Sequence, residues 1–133
     1  MPSEYFDTVK RYVLDLELEI VREDEAEELF VVDNEEEGIK TLVIDCEDPI
    51  LVIEQLILKV KPEPGDLYRR LLQMNRTLVH GAFVLDESGE NVLFRDTLQL
   101  ANLDANELEG SVSALSLALA EYGAELLDHA RRD

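Results

Sequence analysis

Residues 29–60 read LFVVDNEEEGIKTLVIDCEDPILVIEQLILKV, and this stretch decides the fold. Three runs rich in β-branched and aliphatic residues are separated by two short breaks, a composition suited to strands. Leu29 to Asp33 is the first run. Glu35-Glu36-Glu37-Gly38 is a turn in which Gly38 is free to take positive φ. Ile39 to Cys46 is the second strand, Asp48-Pro49 breaks it, and Ile50 to Val60 is the third. Breaks this short between successive strands build an antiparallel meander. Upstream, Ser3 is placed to cap a helix that carries Phe6, Val9, Val13 and Leu16 on one face. Leu14, Leu16, Leu18 and Ile20 then alternate, so the helix gives way to an extended stretch at a boundary the pattern leaves open. Downstream, Asp66 is a cap for a second helix with Leu67, Leu71, Met74 and Leu78 as its apolar stripe. Gly81 to Asp86 and Asn91 to Leu100 are two more strands, joined by a Glu87-Ser88-Gly89-Glu90 hairpin turn. Asp104 and Glu107 have the spacing of a capping box. The last helix follows, with Leu108, Val112, Leu115, Leu119, Tyr122 and Leu126 at spacings of three and four, to about His129. The order α-β-β-β-α-β-β-α predicts an α+β domain over residues 1–133: a twisted, five-stranded, mostly antiparallel sheet with three helices.

The chain has 133 residues, which suits one domain, and 46% of them are hydrophobic. Its charge is unusual: 31 acidic residues against 12 basic give a net of −19. Residues 1–64 hold 19 acids and 6 bases, and residues 65–133 hold 12 acids and 6 bases, all of the latter arginine. Such a surface disfavours nucleic acid and anionic membrane, which reward Lys and Arg. No apolar run reaches a membrane span, and Met1 to Lys10 lacks an apolar signal core. Cys46 is the single cysteine, so no internal disulfide forms and a reducing cytoplasm is the expected location. The acidic stretches Glu23 to Glu28 and Asp33 to Glu37 read as a charged connection and a charged hairpin turn around Leu29 to Val32.

Chemistry-bearing residues are scattered. His80 and His129 stand alone, without a second His or Cys at ligand spacing. His129, Arg131 and Arg132 fall at the end of the last helix, where positive charge meets the negative end of the helix dipole. Cys46 is followed by Glu47 and Asp48, whose charges disfavour the thiolate a nucleophile needs. Asp33 to Gly38 lacks the alternating ligands and distal Glu of a calcium loop. No glycine-rich phosphate loop, GxSxG or HExxH motif occurs. The residues therefore nominate no catalytic, cofactor-binding or metal-binding set, and the reading is not an enzyme. Leu51, Ile53, Leu56, Ile57 and Leu58 make the third strand apolar on both faces near its end. Either that strand is central and covered within one chain, or a second subunit or partner covers part of it.

Leu71-Leu72-Gln73-Met74-Asn75-Arg76-Thr77-Leu78, His80-Gly81-Ala82-Phe83-Val84-Leu85-Asp86 and Val92-Leu93-Phe94-Arg95 together resemble the YbjN family. They are similar, more distantly, to the CesT/Tir type III secretion chaperones. Asp45-x-x-Asp48-Pro49 before an apolar strand resembles the first half of YbjN-like chains. The resemblance implies a type III secretion chaperone-like fold, a cytoplasmic homodimer, and a role in holding polypeptide segments or in stress regulation. Asn75 occupies the family's helix-to-strand turn, where it reads as a cap or turn residue.

The expected function is thus non-enzymatic, chaperone-like or stress-regulatory protein binding. A client polypeptide would use exposed strand edges and a surface of Phe6, Val9, Val13, Leu29, Phe30 and Val31. The same six residues would equally build a core. The alternative is an acidic regulator that binds a basic protein partner by electrostatics. Glu23, Asp24, Glu25, Glu27, Glu28, Glu35, Glu36 and Glu37 would carry it. Neither reading requires a cofactor, nucleic acid or a membrane.

Overall fold

The computed structural model describes residues 3–131. Helix α1 (Glu4–Asp15) starts at Ser3, whose Oγ accepts the Phe6 N–H at 3.3 Å, and whose own N–H donates to Glu28 Oε1 at 2.7 Å. Strands β1 (Glu19–Asp24), β2 (Leu29–Asn34), β3 (Ile39–Glu47) and β4 (Ile50–Lys59) follow as an antiparallel meander. A 3-10 turn at Glu35–Glu37 ends on Gly38 with φ of 77°, the left-handed conformation glycine allows. The cis Asp48–Pro49 peptide turns β3 into β4. Helix α2 (Leu67–Asn75), the β5 (Ala82–Leu85) and β6 (Asn91–Gln99) hairpin, and helix α3 (Ala105–Arg131) complete the chain.

The sheet has six strands in the order β1-β2-β3-β4-β6-β5, every neighbouring pair antiparallel. The expected sheet had five. The added strand is β1, and Glu23 and Asp24, read as part of a loop, are its last two residues. Its burial pattern is mostly exposed, and its register slips between Ile20 and Arg22. A bulged edge strand that sends only Ile20 to the core carries too short a period-two signal to mark its full length.

All three helices lie on one face. Phe6, Val9 and Val13 of α1 pack with Phe30, Ile44, Ile53, Phe94, Leu108 and Leu115, and the Phe6 and Phe30 rings stack at 4.5 Å. A second cluster joins Leu67, Leu71 and Met74 of α2 to Phe83, Val92, Ala118 and Leu126. The capping box at the start of α3 forms as expected, with Glu107 N–H donating to Asp104 Oδ1 at 2.9 Å and Asp104 N–H to Glu107 Oε2 at 3.4 Å. Asp66 precedes α2 but makes no capping hydrogen bond; its carboxylate lies 3.9 Å from His129 Nε2 instead.

Candidate functional site: the uncovered sheet face

Strand register fixes what the other face carries. One cross-strand row runs Arg22, Val31, Val43, Glu54, Arg95 and Ala82. A second runs Asp24, Leu29, Asp45, Val52 and Thr97, and a third runs Leu56, Leu93 and Val84. Successive residues of a strand alternate between faces, so these rows point away from the helices. Val31 and Val52 are each 8% exposed, yet neither belongs to a helix-packed cluster. Neighbouring side chains close over them. Leu56, in the same strand, stands 61% exposed. Strand β4 is therefore central, as one reading of its sequence had it, but the chain covers it on one face only.

Charges are set into this apolar field. Arg95 Nη1 and Glu54 Oε2 pair at 3.1 Å. Asp45 is the exception to pairing: its Oδ1 is buried without a hydrogen-bond partner. Burial first, then the hydrogen bond and charge of Glu47 and the charges of Glu27 and Glu54, push its carboxyl up to about 6.

The two sheet edges differ. On β5, Phe83 N–H donates to Asn75 Oδ1 at 2.8 Å and Asn75 Nδ2 donates to the Phe83 carbonyl at 3.1 Å. The Asn75 amide thus takes the place of a further strand at the centre of this edge. Asn75 is structural, as expected, but through a strand eight residues on rather than through its own helix end. On β1 the edge bears Glu19, Arg22, Glu23 and Asp24, with Glu23 held by Lys10 at 3.0 Å and Asp24 by Arg22 at 3.1 Å.

The expected binding surface divides. Phe6, Val9, Val13 and Phe30 are core, because the apolar stripe of α1 faces the sheet rather than solvent. Leu29 and Val31 lie on the uncovered face. Its other members, Val43, Val52, Leu56, Leu93, Asp45 and Glu54, were not nominated, although the two-faced apolarity of β4 was their signal. The acidic stretches also part company: Glu23, Asp24, Glu25, Glu27 and Glu28 surround the β1–β2 turn, while Glu35, Glu36 and Glu37 sit at the far end of β2. Several are already engaged, Glu28 by Ser3 N–H and Glu37 by Ser116 Oγ at 2.8 Å.

Cys46 is buried, and burial with the Glu28, Asp45 and Glu47 charges pushes its thiol up to about 12, so it is no nucleophile. His129 is buried beside Asp66 and Glu125, at 3.9 and 4.0 Å. His80 is exposed, its ring against Gly110. Arg132 lies outside the described residues. Among those described, no group of three His, Cys, Asp or Glu side chains is placed to hold a metal ion, and no helix is long and apolar enough to cross a membrane.

No curated protein matches the chain. Solved structures do. YbjN from E. coli superposes with a TM-score of 0.68 at 15% identity, over 90% of this chain and 92% of that one. The HopA1–SchA chaperone–effector complex gives 0.62 at 14% identity, over 87% and 91%. The Yersinia pestis type III secretion chaperone SycH, in complex with a stable fragment of YscM2, gives 0.57 at 17% identity, over 87% and 98%. These likenesses establish the type III secretion chaperone-like α+β fold. The CesT_Tir_1 family model matches residues 2–132, and the chain belongs to that family.

Proposed function

We propose that this chain is a non-enzymatic, chaperone-like protein that holds an extended segment of a partner polypeptide on the uncovered face of its sheet. The observation that carries the reading is that face itself: Leu29, Val31, Val43, Val52, Leu56, Leu93 and Val84 share it, and no helix among the described residues packs on it. The Asp45 and Glu54 carboxylates set among these side chains favour a client segment that brings a basic residue. The bare β1 edge offers strand addition beside it. The relatives support the reading, since two of the similar structures are chaperones held with an effector or a protein fragment. The protein acts in the cytoplasm as a homodimer in this proposal, and any stress-regulatory role rests on the resemblance to YbjN.

The test is site-specific photocrosslinking. A benzophenone side chain replaces Leu56, and a control replaces Glu63 in the loop before α2. Both are irradiated in lysate of the source organism at moderate salt. One or a few polypeptides crosslinked from position 56 and not from 63, and lost when Val43→Asp is added, are expected. Equal products from both positions would end the proposal.

A further inference from the structure

Charge and apolarity are set apart along the strand axis of the uncovered face. At one end stand Glu27, Asp45 and Glu47. Glu47 is two residues on from Asp45 and shares its face. Glu27 lies in the turn between β1 and β2, and the charges of both glutamates act on Asp45. None of the three has a Lys or Arg nitrogen within 4.0 Å among the described residues. The register partners of Asp45 are Leu29 and Val52, both apolar. Asp24 and Glu54, by contrast, are already held by Arg22 and Arg95, at 3.1 Å each. At the other end is the row Leu56, Leu93 and Val84, which contains no charged residue.

Strand register sets the distance between the two ends. Asp45 lies opposite Val52, and Leu56 is four residues further along β4. The register slip in β4 falls beyond Leu56, so the pleat between Val52 and Leu56 is regular. At a rise of about 3.3 Å per residue, the acids and the apolar row are about 13 Å apart along the strand. A strand packed face to face on a sheet keeps within about 30° of the strands beneath it. Laid along β4, an extended segment therefore presents its positions i and i+4 to the two ends, both on one side of its own pleat. Position i+2 falls over Val43 and the Glu54–Arg95 pair, whose charges already satisfy each other.

We propose that the uncovered face selects an extended polypeptide segment carrying Lys or Arg four positions from a large aliphatic residue. The basic side chain sits over Glu27, Asp45 and Glu47, where one cation offsets the repulsion of three acids that have none. The aliphatic side chain sits on Leu56, Leu93 and Val84 and removes from water a leucine that stands 61% exposed. The same two residues three or five positions apart fail, because the pleat turns one of them away from the sheet. The inference rests on the client reading of the proposed function and states which segments that face accepts.

Phage display of a randomised dodecapeptide library on the immobilised full chain, washed at moderate salt, tests it. Enriched peptides are expected to carry Lys or Arg four positions from Leu, Ile or Val more often than three or five. The most enriched peptide is then made with a fluorophore and its affinity read by fluorescence anisotropy. The Glu27→Gln, Asp45→Asn, Glu47→Gln triple variant is expected to lose about tenfold or more, and Leu56→Asp as much, the scale of a central contact. Both alter side chains away from the helix-packed core, and circular dichroism checks that the fold persists. A second triple variant, Glu35→Gln, Glu36→Gln, Glu37→Gln, removes the same charge from the far end of β2 and is expected to bind as the native protein does. Peptides that need Leu56 but carry no basic residue, or carry one at no preferred spacing, overturn this inference and leave the proposed function standing. Equal losses in the two triple variants do the same, since net charge alone then accounts for the binding. Peptides indifferent to Leu56→Asp, or no enrichment over the blank surface, end the client reading of this face as well.

Discussion

Asp45→Asn is expected to make the protein more stable at neutral pH, a consequence of placing one carboxylate badly on an apolar sheet face. In the folded chain the carboxyl is raised from 3.8 to about 6, mainly because ionisation there is poorly solvated, and then because Glu47, Glu27 and Glu54 repel the charge. A shift of about two units corresponds to about 3 kcal/mol at 1.36 kcal/mol per unit. The face is open to water, and screening lowers the realistic figure to about 1 kcal/mol. The sign follows from proton binding. With the folded value above the unfolded one, the folded state binds more protons between the two, so stability rises as pH falls through that window. The destabilisation is complete above about 6 and absent below 3.8. Asparagine keeps the size and can still donate to Glu47, but carries no charge. The variant is expected to melt about 3–5 °C above the native protein at pH 7.5 for a domain of this length, and the two curves are expected to converge near pH 4. Thermal melts followed by circular dichroism across pH 4–8 measure this, and the difference between the two proteins cancels the other carboxylates. A variant no more stable at pH 7.5, or an advantage that grows on acidification, would refute the reasoning.

Two further outcomes follow from the packing around β5. Asn75→Ala strips the Phe83 N–H and carbonyl of their partners and is expected to cost about 1–3 kcal/mol in urea unfolding. Asn75→Asp keeps the acceptor but loses the donor and falls between; light scattering is expected to rise in both as the edge is bared. Gly81→Ala places a Cβ 2.5 Å from Phe94 Cζ and 3.0 Å from the Arg95 carbonyl oxygen at φ of +71°, so a loss of about 2–4 kcal/mol is expected on the same assay. A Gly81→Ala protein of native stability would mean that the Phe94 ring has room to move.

Long elements with one wet and one dry face were legible in the sequence. The stripe from Leu108 to Leu126 and the Asp104–Glu107 box place α3 unaided, and the β2–β3–β4 meander follows from its two short breaks. The alternation up to Ile20 gave an extended stretch where β1 begins, but its continuation to Asp24 was hidden, since Val21 follows Ile20 directly and charged residues come after; only its pairing with β2 makes it a strand. Asn75 could not be assigned its partner, since a side chain bonding to the backbone eight residues away leaves no periodic trace. The site was half visible for a similar reason. An apolar stripe on a helix looks the same whether it faces a client or a core, so Phe6, Val9 and Val13 were ambiguous until burial resolved them. A strand apolar on both faces announces a need for cover, as β4 did, without saying which face the helices take.

The acidity then has a physical role in keeping such a face open. An uncovered sheet of aliphatic residues is ordinarily a place where copies stack. Here a second copy laid on the same face would set another Asp45 and Glu54 against a carboxyl already raised by burial and then by its own neighbours. That stacking pays desolvation and like-charge repulsion at once. A client segment bringing Lys or Arg meets the opposite balance, because a positive charge near Asp45 and Glu54 offsets their mutual repulsion and draws the Asp45 carboxyl back toward its ordinary value.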